Sequence, residues 1–199
     1  MNFKLDAVGL LKAEHRQIEK LFMNFEAHCV REASGRQKRA VAMQICDALT
    51  LHAQIEEGLF YPEVRSAISD DVLMNEAQVE HTVAHDLIIQ ISIMHPMEPL
   101  YDAKVIVLGK IVGHHFEEEE SDMFPAALSA ALDLEELAAR MARRRKSIVE
   151  ELARVRSNGR FSYRAGRAAL RPGADEQARA TVEIPRISPV YGHLTNSGK

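Results

Sequence analysis

Apolar residues recur every three or four positions through most of the first 156 residues, the spacing of one buried helix face and not the alternation of a strand. Val8, Leu11, Ile18, Leu21, Phe22 and Phe25 mark a first helix. Val41, Ile45, Ala48, Leu49, Ile55 and Leu59 mark a second, bounded upstream by Ser34-Gly35 and expected to break near Pro62. A third starts near Asp70 and Asp71, acids that suit a helix N-terminus, and runs through Ala77, Ala84, Leu87, Ile88 and Ile91 to a break at Pro96 and Pro99. Leu100, Val107, Leu108, Ile111 and Val112 carry a fourth toward Pro125. A fifth, from about Asp133 to Val155, opens on Asp133 with Glu136 three residues on, an aspartate version of the capping box. Four long helices with short connections predict an all-α, up-down-up-down four-helix bundle over residues 1–131, followed by an additional helix at 132–156. Nothing in the sequence reads as strand alternation or a Gly-rich phosphate loop, which argues against an α/β enzyme.

Charge divides the chain near the end of the fifth helix. Residues 1–156 carry 18 Lys and Arg against 26 Asp and Glu, whereas residues 157–199 carry 7 against 3. That second stretch also holds five of the ten glycines and three of the seven prolines, with no sustained apolar period. It reads as a flexible basic tail, a candidate for contact with a protein partner. Arg143, Arg144, Arg145 and Lys146 lie within the fifth helical pattern and read as a solvated face, so nucleic acid is not the expected partner. The opening stretch lacks the apolar core of a secretory signal, and no apolar run is long enough to span a membrane. The expected location is the cytoplasm, where Cys29 and Cys46 would be free thiols.

Histidine changes the picture, with nine in the chain. His15 shares the apolar stripe of Leu11 and Ile18, His52 that of Ala48 and Ile55, His81 and His85 that of Ala77, Ala84 and Ile88, and His115 that of Leu108 and Ile111. A single inward histidine is ordinarily a hydrogen-bonded core residue, but five on four helices need a common compensation, and a bound metal supplies it. His52-x-x-x-Glu56 and His115-x-x-x-Glu119 each place an imidazole and a carboxylate one turn apart on one face. The two segments repeat at an offset of 63, through His, Glu, Glu, aromatic and Pro, while Glu14-His15 and Glu80-His81 repeat at an offset of 66. Helix pairs related by a pseudo-twofold axis around one centre follow. His81 and His85 have the spacing of a zinc-protease helix, but Thr82 stands where that chemistry needs a glutamate. No histidine has Glu three residues before it, as ferritin-like di-iron bundles require, and seven N and O donors exceed one tetrahedral zinc site. Two octahedral metals fit better.

Taken together, His15, His52-x-x-x-Glu56 with Phe60-Tyr61-Pro62, Glu80-His81-x-x-x-His85, and His115-x-x-x-Glu119 with Phe124-Pro125 resemble the haemerythrin-like (HHE cation-binding) family over roughly residues 5–125. The resemblance implies two non-haem iron ions with a bridging oxygen. His81, His85 and His115 would bind one iron, His15 and His52 the other, and Glu56 and Glu119 would bridge them. Because the helix acid stands four or five residues after its histidine in different members, Glu120 competes with Glu119, and His114 competes with His115. His28, His95 and His193 fall outside the pattern.

Coordination arithmetic then points to a function. Of about twelve positions on two six-coordinate metals, five histidines, two bridging carboxylates and a bridging oxygen leave about one open. An open position on a ferrous pair suits end-on dioxygen or nitric oxide, hence carriage, storage or sensing. The alternatives are a stress-response activity (iron-centre repair, nitric oxide or peroxide removal) and an iron-responsive regulatory module.

Overall fold

Four of the five long helices among the described residues begin where a side chain accepts an orphan amide hydrogen of the first turn. In the computed structural model, which describes residues 6–68 and 70–157, Asp6 caps α1 (Ala7–Val30) by accepting from the Gly9 amide at 2.7 Å. Ser34 caps α2 (Gly35–Ile55) in a full capping box with Gln37. After α3 (Tyr61–Ala67), Asp70 caps α4 (Asp71–Ile93), accepting from Leu73 at 3.0 Å. The chain continues through α5 (Tyr101–Glu118) and α6 (Phe124–Ser129) to α7 (Leu134–Ser157), where Asp133 accepts from the Glu136 amide at 2.9 Å, the cap expected from sequence. The described residues fold into helices without a strand, as the apolar periodicity required.

Helices α1, α2, α4 and α5 close into a ring: α1 packs on α2 and α5, and α4 packs on α5 and α2. Helix α1 approaches α5 closely at Gly109, where a β-carbon would stand 2.9 Å from the Phe22 ring. Inside lie two apolar clusters. One contains Leu11, Ile55, Phe60, Met74, Ala77, Met123 and Phe124. The other contains Ile18, Phe25, Ile45, Leu49, Ile91, Leu108, Val112 and Phe116. Helix α7 packs Leu137, Ala138, Met141 and Ile148 into the first cluster, so the additional helix completes the core of the bundle.

Pro62 does not break its helix, contrary to expectation, and neither does Pro125. Each follows a single π-helical turn, Glu56–Phe60 and Glu119–Met123, after which helix resumes with the proline in its first turn. Proline has no amide hydrogen to return to the carbonyl four residues back, and a widened turn just before it removes that demand. The expected flexible tail lies outside the described residues. Among the described residues, no helix is long and apolar enough to cross a membrane.

Candidate metal centre

A layer of ionisable side chains separates the two apolar clusters. On α1, His15 stands between Leu11 of one cluster and Ile18 of the other; on α2, His52 stands between Ile55 and Leu49. His81 follows Ala77 on α4, and His115 follows Val112 on α5. Glu56 and Glu119, the first residues of the two π-helical turns, complete the layer at 0% and 1% exposure. All six side chains are buried.

Their inner atoms converge. Glu56 Oε1 lies 3.1 Å from His52 Nε2, and its Oε2 lies 3.4 Å from His81 Nε2, so one carboxylate faces both halves of the layer. Glu119 Oε2 lies 3.3 Å from His15 Nε2 and 3.6 Å from His115 Nε2. His81 and His115 bring their Nε2 atoms within 3.0 Å of each other. The donors fall into two sets, His15–His52–Glu56–Glu119 and Glu56–His81–His115, each with ligand atoms mutually within 4.8 Å. The His15 ring is held flat against Phe116, 3.7 Å between centroids at 8°.

The outer nitrogens are equally ordered. Each Nδ1 meets a carboxylate: His15 meets Glu120 at 2.9 Å, His52 meets Glu14 at 3.0 Å, His81 meets Glu57 at 2.8 Å and His115 meets Glu80 at 2.9 Å. With Nδ1–H donating outward, every Nε2 lone pair points into the layer, the tautomer a metal ligand needs. Glu57 and Glu120 thereby fix the orientation of the His81 and His15 rings. Glu14 and Glu80, which mark the repeat, meet His52 and His115 through the packing of neighbouring helices.

Without a metal, the layer holds protons tightly. Burial opposes a charge on His52, yet Glu56 and Glu14 raise its pKa to about 10. His81, likewise opposed by burial, is raised to about 9 by Glu56 and Glu57. Burial works against the Glu56 carboxylate as well, but His52 and His81 hold its pKa well below the usual range. Even so, His15 Nε2, His52 Nε2, both Glu56 oxygens and Glu119 Oε2 lie in ion-pair contact without an aligned hydrogen bond. Such imperfectly paired buried atoms, all on imidazoles and carboxylates turned toward common points, fit divalent or trivalent metal ions bound by N and O donors.

Six of the seven expected ligands are thus brought together, and His85 is not. It is exposed, on the flank of α4. The inward stripe of α4 is Met74, Ala77, His81, Ala84, Ile88 and Ile91, a three-four repeat in which Ala84, not His85, follows His81. The expected His81–His85–His115 set is corrected to His81–His115. His85→Ala should therefore leave metal content unchanged and alter stability by no more than about 0.5 kcal/mol, checked by metal analysis and thermal melting. Glu119 faces inward and Glu120 outward, which separates the two competing acids, and His114 is exposed and pairs with Glu118 at 3.2 Å.

Tyr61, part of the Phe60-Tyr61-Pro62 motif, lies at the centre of the layer. Its hydroxyl donates to Glu119 Oε1 at 2.9 Å and lies 3.1 and 3.3 Å from the Nε2 atoms of His81 and His115. Burial, with the charges of Glu56 and Glu119, raises its pKa well above the usual value, so it remains protonated. Five residues after Glu56, Tyr61 would point about 140° away on a regular helix. The π-helical turn, closed by the Tyr61 amide on the Glu56 carbonyl, returns it to the same face. The available signal was asymmetry in the repeat, since Tyr61 corresponds to Phe124 at the offset of 63.

Comparison with known proteins agrees with this geometry. The model of the Hemerythrin HHE cation binding domain matches residues 6–127, and the chain belongs to that family. A solved Mycobacterium kansasii structure, described as a Hemerythrin HHE cation binding domain-containing protein and Rv2633c homolog, superposes with a TM-score of 0.64 at 26% identity. The match covers 78% of this chain and 94% of that one. A curated Nostoc sp. (strain PCC 7120) protein named DNA nickase is 30% identical over 118 residues. The aligned region is 59% of this chain and only 32% of that longer protein.

Proposed function

We propose that His15, His52, Glu56, His81, His115 and Glu119 hold two non-haem iron ions, and that the loaded protein turns over a small oxygen-derived substrate, with peroxide as the first candidate. The exposure of His85 carries this reading. Without it, the four histidines and two carboxylates would leave about two of the roughly twelve positions of a six-coordinate metal pair open, one more than the count from sequence. One open position favours reversible carriage, whereas two allow a two-atom substrate to enter and products to leave. An iron pair would supply two-electron chemistry there. Disproportionation of peroxide needs no outside reductant, because two hydrogen peroxide molecules become two waters and one dioxygen.

The chain's own residues are suited to that task. Tyr61 holds a proton beside the His81–His115 pair, and its hydrogen bond to Glu119 Oε1 fixes the hydroxyl in place. Phe60, Phe116 and Phe124, all buried around the layer, exclude water. The carboxylates behind the histidines keep the imidazoles oriented.

Anaerobic loading with ferrous iron, followed by alternate dioxygen and argon and then by peroxide, tests the proposal. Turnover predicts irreversible oxidation by the first dioxygen exposure and sustained peroxide consumption. Tyr61→Phe should slow that consumption by about a hundredfold, the usual contribution of a positioned proton donor, at unchanged iron content. Spectra that cycle reversibly between the two gases would return the protein to carriage of dioxygen, and the same cycles with nitric oxide would reveal a sensor.

A further inference from the structure

The four carboxylates behind the histidines obey the internal repeat, Glu57 with Glu120 at an offset of 63 and Glu14 with Glu80 at 66. The cations behind those carboxylates do not. Arg16 donates to Glu120, the partner of His15, and Arg145 of α7 donates to Glu14, the partner of His52. At the offset that relates His15 to His81, Arg16 corresponds to Thr82, and α7 lies outside the repeat. Among the described residues, Glu57 and Glu80 form no salt bridge to Lys or Arg. Beyond His115, the side chains gathered at Glu80 are His114 and Glu118, which pair with each other.

We propose that Arg16 and Arg145 make the two metal positions inequivalent, weakening the hold of the His15–His52 position relative to the His81–His115 position. The proposal rests on the two-metal reading above. An imidazole whose Nδ1–H faces an unshared carboxylate is the stronger donor at Nε2, and a guanidinium on that carboxylate withdraws part of the effect. Two positive charges confined to one half also oppose a cation there directly. Arg16 and Arg145 are 51% and 41% exposed, so solvent screens both effects. Their anchors are specific all the same: Arg145 is held on a helix whose buried face belongs to the core, and Arg16 is braced by Glu19 at 2.7 Å. Helix α7 thereby acts on the centre without contributing a ligand.

Titration of the apo full-length protein with Co²⁺ tests this, read by optical bands and by the shifted Nδ1–H proton resonances of the bound histidines. The double variant Arg16→Gln/Arg145→Gln should still bind two equivalents, with affinity at the His15–His52 position raised by about tenfold and the other position unchanged. Arg16→Lys/Arg145→Lys, which keeps both charges, should stay near wild type. If the arginines merely brace Glu120 and Glu14, the glutamine variant should instead lose affinity; a loss, or an equal change at both positions, overturns the proposal. A wild-type stoichiometry of one overturns the two-metal reading and this proposal with it, whereas two equivalents with unshifted affinities overturns this proposal alone.

Discussion

Glu119→Ala protein should retain no more than one metal equivalent where wild type binds two, while Glu120→Ala should still bind two with affinity lowered by about 10- to 100-fold. The two residues are adjacent in sequence and opposite in role. Glu119 Oε2 faces His15 and His115 from inside the layer, and its Oε1 accepts the Tyr61 proton. Removing that carboxylate withdraws a donor from between the two halves and leaves two imidazoles and a phenol with nothing to share. Glu120 meets the outer nitrogen of His15 and the Arg16 guanidinium but no inner nitrogen, so its loss frees the ring to turn but subtracts no donor. Metal analysis after gel filtration distinguishes the two. Retention of both equivalents by Glu119→Ala, with loss in Glu120→Ala, would move the bridge to Glu120.

Exhaustive chelation should lower the thermal midpoint by roughly 10 to 15 °C at neutral pH. Metal held at a thousand times its dissociation constant adds about 4 kcal/mol to the folded state, and a domain of this size shifts by about 2 to 4 °C per kcal/mol. The metal-free layer is left with imperfectly paired buried atoms on His15, His52, Glu56 and Glu119, and no cation but the proton to relieve them. The deficit should widen with pH. His52 and His81, raised to about 10 and about 9, contribute apo stability that is fully present below the unfolded histidine value of about 6.5 and is lost as pH rises through those raised values. Glu56, held low, contributes above the ordinary carboxylate range and loses that contribution in acid. Apo protein should thus be most stable between about pH 4.5 and 6.5, whereas metal affinity rises with pH as protons cease to compete. Melting curves of apo and loaded protein from pH 5 to pH 9 check both slopes. A constant gap across that range would mean that the layer does not exchange protons for metal.

The same layer shows how far a local pattern can be read. The periodicity of α1, α2, α4 and α5 identified the inward faces, and on those faces His15, His52, His81, His115, Glu56 and Glu119 meet in space. The repeat at 63 and 66 anticipated that the two helix pairs would place equivalent groups around one centre. His85 was misplaced for a definite reason. Three and four residues after an inward position are both admissible on an isolated helix, and Ala84 and His85 satisfy the two choices equally. Packing against α2 and α5 selected the stripe through Ala84, Ile88 and Ile91, and His85 was left in solvent.

Tyr61 and the arginines were hidden for other reasons. A reading at 3.6 residues per turn cannot see a π-helical turn, so it rotates Tyr61 away from Glu56 and treats Pro62 as an end. Arg145 lies 131 residues from Glu14 along the chain, inside a basic run with every appearance of a solvated face. Helix type, inward faces and the donor set depend on intervals of three to seven residues, and those intervals are present in the sequence itself. The choice between Ala84 and His85, the return of Tyr61 to the centre and the pairing of each imidazole with a carboxylate depend on how one helix is rotated and shifted against its neighbours. The tertiary structure alone decided these, because they are settled by packing energies between distant segments that no local interval encodes.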